Sequence, residues 1–191
     1  MSNLRDGQAG KLVVVSGPSG VGKSTIDHRA LAATGAEYSC SVTTRAPRPG
    51  EVDGRDYRFV DRTTFETMIA DGELLEWAEV FGNYYGTPAG PVEQALRQGR
   101  RILLEIDVQG GVQVHERMPD ATFVLIVPPS LDALRQRLTG RGTEHDATAQ
   151  VRLEKAEAEL DVARSSGVYT REIVNADLDE AVGELIAIIE E

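Results

Sequence analysis

Apolar residues arrive in two rhythms along this chain. Lys11-Leu12-Val13-Val14-Val15-Ser16 and Ile102-Leu103-Leu104-Glu105-Ile106-Asp107 run on without alternation, as does Thr122 to Val127 before Pro128-Pro129 stops it. Such runs predict strands covered on both faces. Between them the spacing turns helical. One helix is expected from Lys23 to about Ala33, closed by Gly35. Another runs from Pro91 to Gln98, with Pro91 in its first turn and Gly99 beyond its end. Ser130 caps a third through Leu138, Gly140-Arg141-Gly142-Thr143 forms a loop, and a long helix follows from about Asp146 to Arg164. Glu172-Ile173-Val174-Asn175 reads as a last short strand. Beyond it Leu178, Ala181, Val182, Leu185, Ile186 and Ile189 recur at helical spacing, giving one apolar face. Buried strands alternating with helices imply an α/β fold, a parallel sheet covered on both sides.

Residues 37–90 break the rhythm. Glu37 to Thr44 reads as one strand. Arg45-Ala46-Pro47-Arg48-Pro49-Gly50 excludes regular structure, with two prolines and a glycine in six positions. Tyr57-Arg58-Phe59-Val60 is a short strand. Thr63-Thr64-Phe65-Glu66 has the form of a capping box, so a helix is expected to start there and end near Gly72. Leu74 to Val80 and Asn83 to Tyr85 are strand candidates around Gly82. The expected plan is one domain: a core of residues 11–36, 91–129 and 156–191, an inserted mixed α/β lobe at 37–90, a helical lid at 130–155, and a flexible leader at 1–10.

Charge narrows the partners. The 191 residues hold 31 acidic and 20 basic side chains, a formal net charge of −11. That balance argues against non-specific binding to nucleic acid or to a membrane surface. An anionic substrate must be met by local basic clusters. The single cysteine, Cys40, excludes an intrachain disulfide, and its place in the apparent strand suggests a buried, inert thiol. Met1 to Gly7 has no apolar signal core, and the longest apolar runs are strand-sized. The expectation is a cytoplasmic protein. Monomer and homo-oligomer both stay open.

Gly17-Pro18-Ser19-Gly20-Val21-Gly22-Lys23-Ser24, followed by Thr25, matches the G-x-x-x-x-G-K-S phosphate loop in full. Its glycines let the backbone close around an anion with N–H groups pointing inward. The following helix directs its positive end at the same phosphates. Lys23 supplies a point charge, and the Ser24 hydroxyl suits the Mg²⁺ that bridges the β and γ phosphates. With a buried strand before it and a helix after it, the motif predicts a P-loop NTPase-type sheet and a nucleoside triphosphate ligand, but not the reaction. No Asn-Lys-x-Asp guanine reader of GTPases occurs. Glu105 and Asp107 end a strand where such sheets place their ligands; alone, they are equally ordinary strand-end carboxylates.

Four segments carry a resemblance. They are Ser39-Cys40-Ser41-Val42-Thr43-Thr44-Arg45-Ala46-Pro47-Arg48-Pro49-Gly50-Glu51, Asp53-Gly54-Arg55-Asp56-Tyr57, Gly82-Asn83-Tyr84-Tyr85-Gly86-Thr87 and Ile106-Asp107-Val108-Gln109-Gly110. With Pro128-Pro129-Ser130, Arg141-Gly142-Thr143 and Val174-Asn175, the chain closely resembles the guanylate kinase family from about residue 11 onward. The resemblance implies ATP and GMP as substrates, Mg²⁺ as the cofactor, and GDP, with dGMP also accepted, as the outcome of direct in-line transfer. It implies that Arg45 and Arg48, with the hydroxyls of Tyr57 and Tyr85, hold the GMP phosphate, since guanidinium forks match phosphate oxygens. Glu76 then reads guanine, because a carboxylate accepts from the ring N–H and the exocyclic amine together, whereas adenine turns a lone pair toward it. Ser41, Thr87 and Asp107 resemble the family's other acceptor contacts. Arg137, Arg141 and Arg152 match its lid arginines, and Asn175 its adenine side. Glu105 or Asp107 joins Ser24 at the metal through water.

The helix after the phosphate loop departs from the family at Ile26-Asp27-His28-Arg29. Asp27, one turn beyond Lys23, either pairs with it or disfavours the triphosphate. Glu105 stands where many relatives have Asp. Two rivals remain at this stage: a catalytically silent interaction domain, and a kinase for another small acceptor. The intact loop argues against the first and Glu76 against the second.

Overall fold

The computed structural model describes residues 10–139 and 146–191. In chain order the elements are β1 (Lys11–Ser16), α1 (Lys23–Thr34), β2 (Glu37–Tyr38), β3 (Val42–Thr43), β4 (Arg58–Phe59), α2 (Arg62–Ala70), β5 (Leu74–Val80), β6 (Asn83–Pro88), α3 (Ala89–Arg97), β7 (Arg101–Glu105), α4 (Val108–Arg117), β8 (Thr122–Val127), α5 (Leu131–Thr139), α6 (Asp146–Ser166), β9 (Arg171–Val174) and α7 (Leu178–Glu190).

Five strands form a parallel sheet in the order β2-β7-β1-β8-β9. The runs without alternation are explained by its two covered faces. Val13 and Val15 of β1 point into one apolar cluster with Ile26 and Ala30 of α1 and Leu185 and Ile189 of α7. Leu12 and Val14 point into another with Val92 and Ala95 of α3 and Val114 of α4. Each fully buried side chain of this kind contributes about 1.5–3 kcal/mol, so the central sheet is the stable frame that holds the loops at its end. Val108, Leu125, Val127, Leu160 and Ala163 extend the core under the second half of α6.

A second, four-stranded mixed sheet has the order β4-β3-β6-β5. It closes over α2 through Val42, Phe65, Met68 and Leu74. The expected single strand from Glu37 to Thr44 is in fact two strands in different sheets: Glu37 and Tyr38 pair with β7 in the core, while Val42 and Thr43 pair in the lobe. The chain therefore leaves the core after Tyr38, not at residue 37. Cys40 lies in this crossing, half-buried and outside any strand. The capping box is also corrected. Asp61 caps α2, its carboxylate accepting from the Thr64 N–H at 2.7 Å, so the cap lies two residues earlier than Thr63.

The third correction is α4. From the sequence no element is expected over residues 108–117, and two adjacent glycines disfavour a helix there. Packing overrides that cost, since both glycines are buried where larger residues have no room. The helix is capped by Asp107, which lies beyond β7 and not within it; its Oδ1 accepts from the Gly110 N–H at 2.7 Å. Ser130 caps α5 as expected, accepting from the Ala133 N–H at 3.1 Å. Among the described residues no helix is long and apolar enough to cross a membrane.

Candidate active site

The phosphate loop sits between β1 and α1 at the carboxyl end of the sheet. Gly22 is the N-cap of α1 with φ 103°, a conformation natural to glycine, and it supplies no capping side chain. A Cβ there would lie 2.6 Å from Asn175 Nδ2. The first N–H groups of α1 are left for an anion. Lys23 Nζ donates to the carbonyls of Gly17 (2.6 Å) and Pro18 (3.4 Å). Burial lowers its pKa, while the charges of Glu105, Glu159, Asp27 and Asp107 oppose the fall. An open cleft of about 360 Å³ is lined by the loop residues Gly17, Ser19, Gly20 and Gly22 to Thr25, with Glu105, Asp107, Arg152 and Glu159.

Ser24 Oγ donates to Glu105 Oε1 at 2.8 Å. A hydroxyl beside a carboxylate is a hard-oxygen donor set, which fits Mg²⁺. Asp107 has a different post, capping α4 with one oxygen. Arg152, on α6, donates to Ser19 Oγ at 3.0 Å across the cleft. Arg137 lies elsewhere, donating to the carbonyls of Val21 (3.3 Å) and Asn175 (2.7 Å). Asn175 is buried and gives its Nδ2–H to Val21 O at 2.7 Å, bracing the loop from behind. These two residues line a separate cavity of about 530 Å³ with Gly20, Val21, Gly22, Thr25, Ala176 and Leu178. Arg141 lies outside the described residues.

Asp27 does not pair with Lys23. It is buried with both carboxylate oxygens lacking hydrogen-bond partners. Burial, then the charge of Glu105, pushes its pKa up to about 8.

In the lobe, Arg45 stands over the Tyr57 ring at 5.4 Å, and Tyr57 meets Tyr85 edge-on at 6.1 Å. The Arg45 guanidinium is held by Glu51 through bonds of 3.0 and 2.9 Å, and Glu51 also accepts from the Arg48 N–H at 2.7 Å. Glu51 thus organises the proline-rich turn, with the Arg48 side chain exposed on it. Ser41 directly precedes β3 and its carbonyl accepts from the Arg58 N–H at 2.8 Å. Glu76 on β5 is 8% exposed and accepts from Thr87 Oγ1 at 2.6 Å. Burial pushes its pKa up to about 7 against the Thr87 bond, with the Asp107 charge adding to the rise. Its carboxylate rests over Gly110, where a Cβ would lie 3.0 Å from Oε2 and 3.3 Å from Asp107 Oδ1. Asp107 also lines the phosphate-loop cleft, so α4 joins the two halves of the site.

The sequence-derived residues therefore fall into three groups: the loop with Ser24, Glu105 and Arg152; Arg137 with Asn175 behind the loop; and Arg45, Tyr57 and Tyr85 beside Glu76 and Thr87. Sequence reasoning missed what holds them together, namely Glu51, Gly110, Gln113 and Arg117. The last two share a face of α4 with Asp107 and Gly110 at spacings of 3, 3 and 4. That stripe is the signal that could have revealed the helix.

The guanylate kinase family model matches residues 9–191. The chain is 48% identical over 183 residues to a guanylate kinase of Thermus thermophilus, covering 96% of this chain and 81% of that one. It is 47% identical over 184 residues to the guanylate kinase of Bacillus subtilis, covering 95% and 89%. The crystal structure of guanylate kinase from Anaplasma phagocytophilum superposes with a TM-score of 0.71 at 33% identity, covering 96% of this chain and 86% of that chain. With a complete phosphate loop at the carboxyl end of a parallel sheet and a second, mixed sheet carrying a buried carboxylate, this chain belongs to the guanylate kinase family.

Proposed function

We propose that the chain phosphorylates GMP to GDP with ATP, accepts dGMP, and transfers the phosphoryl group directly and in line. The observation that carries this reading is the buried Glu76 carboxylate, bonded to Thr87 and seated on the helix whose cap, Asp107, opens onto the phosphate loop. A dry carboxylate there accepts two N–H bonds from guanine, and adenine leaves it facing a lone pair.

Arg45 and Arg48, with the hydroxyls of Tyr57 and Tyr85, grip the GMP phosphate. Ser41, Thr87 and Asp107 complete the acceptor side. The loop from Gly17 to Thr25 wraps the triphosphate, and Lys23 leaves its carbonyl partners to meet the β and γ phosphates. Asn175 lies on the adenine side, beside the cavity it shares with Arg137. A phosphate oxygen of GMP attacks the γ-phosphorus. One P–O bond forms, the β–γ bridging bond breaks, and ADP leaves with the electron pair; no side chain need take a proton. Arg141 and Arg152 of the lid spread the charge and exclude water from the reacting group, joined by Arg137 once it releases the carbonyls of Val21 and Asn175. Ser24 would hold Mg²⁺ with Glu105 beside it, and Asp107 stands on the acceptor side. When bound, such an ion would offset the negative charge that the leaving ADP takes up. The reading extends to a cytoplasmic enzyme acting on free nucleotides.

The test is ADP release from ATP-Mg²⁺ with a panel of monophosphates. GMP and dGMP should be turned over and AMP, CMP and UMP should not; equal rates on AMP would overturn the reading. Lys23→Ala should nearly abolish turnover.

A further inference from the structure

β5 is an edge strand of the lobe sheet. An edge leaves backbone groups that need partners. At Trp77 both are met by one side chain from the core. Gln113 Oε1 accepts from the Trp77 N–H at 3.1 Å, and Gln113 Nε2 donates to the Trp77 carbonyl at 3.2 Å. This reciprocal pair copies the exchange between two residues of an antiparallel ladder, so a single amide on α4 serves as an extra strand residue. Arg117, one turn further along, donates to the Gly72 carbonyl just before β5 at 3.0 Å. One turn the other way lies Gly110, under the Glu76 carboxylate.

Trp77 directly follows Glu76. Fixing both hydrogen-bonding groups of Trp77 fixes the height and rotation of the strand where Glu76 leaves it. A reading carboxylate discriminates only if it is held where the base arrives; otherwise it swings toward water and meets either purine equally. We infer that Gln113 is a positioning residue for base specificity, locking β5 onto α4 so that Glu76 is preset over Gly110 and Asp107. This rests on the reading that Glu76 meets guanine. Gln113 does not line the phosphate-loop cleft; its amide is taken up by Trp77.

The variant that removes both bonds while keeping length is Gln113→Met. It should raise KM for GMP and lower the GMP-over-AMP preference about 10-fold, the effect of one to two net hydrogen bonds. KM for ATP and kcat at saturating GMP should stay within about twofold, because α1 and the loop are untouched. Arg117→Met removes a docking bond at the far end of the strand; it should lower the melting temperature yet leave the GMP-over-AMP preference unmoved. Unchanged preference in Gln113→Met, or an equal loss in Arg117→Met, overturns the inference. Should Gln113→Met fail to fold, Gln113→Glu is read instead, since it keeps the acceptor for Trp77 N–H but turns an oxygen toward the Trp77 carbonyl; the same loss is expected and its absence is equally fatal. Glu76→Gln measured alongside separates the two layers. If Glu76→Gln loses discrimination and Gln113→Met does not, only the positioning role falls. If neither loses it, the guanine-reading role of Glu76 falls first.

Discussion

Glu76 illustrates the conflict between stability and recognition in a single side chain. Its folded pKa of about 7 lies above the ordinary 4.5. The stability from the neutral form is complete below pH 4.5 and is lost as the pH rises through 7. Glu76→Gln should therefore be more stable than the parent at pH 8, by up to about 3 kcal/mol, with a flatter pH dependence between 4.5 and 7. Thermal melts across that range check it. The same variant should lose roughly 1–3 kcal/mol of GMP-over-AMP preference. In the parent, kcat/KM for GMP should rise with pH toward and through 7, as the carboxylate ionises, and this limb should shrink in Glu76→Gln. Asp27 carries a cost without that benefit. Its oxygens are buried without a hydrogen bond while it is ionised, and only the protonated form can donate to the neighbouring Glu105, so the charged form is the costly one. Asp27→Asn, close in volume and always neutral, should raise the melting temperature above pH 8, where the parent's buried carboxylate is ionised, and a lowered one would refute the reasoning.

At the scale of the element, α4 decides most. Sequence propensity disfavours a helix with two adjacent glycines by about 1 kcal/mol each. The structure explains both by clearance. A Cβ on Gly111 would lie 2.0 Å from the Tyr169 hydroxyl, and one on Gly110 would press on Glu76 and Asp107. Gly110→Ala thus sets a propensity gain of about 1 kcal/mol against crowding of the acceptor site. We expect a near-neutral melting temperature with a several-fold higher KM for GMP, measured by steady-state kinetics. Strand signals were legible where the run was long, as in β1, β7 and β8. The two-residue strands β2 and β3 were not, because a short apolar stretch does not say which sheet it will join.

Across the whole molecule, two sheets with separate cores share one helix. Phe65 is fully buried in the lobe cluster and stacks on Tyr84 at 5.2 Å. Phe65→Ala, a change that typically costs about 3–5 kcal/mol, should loosen the lobe first. Hydrogen exchange should quicken in β3 to β6 while β1, β7 and β8 stay protected, and GMP binding should weaken before ATP binding does. Uniform loss of protection across both sheets would mean that the two cores unfold as one.

The sequence by itself determined the buried strands, the phosphate loop and the residue types that chemistry demands, because continuous apolar runs and a glycine-spaced anion cradle are local properties of the chain. It also marked Arg45, Arg48 and Glu76 as partners through their likeness to one family. Only the tertiary structure decided that Glu37–Tyr38 and Val42–Thr43 part company, that Asp27 is buried near Glu105, and that Arg137 braces Val21 and Asn175. Those outcomes depend on which distant segments meet, as when Gln113 takes up both backbone groups of Trp77. No local propensity encodes such a meeting; it is settled by how the buried faces of two sheets fit around α4.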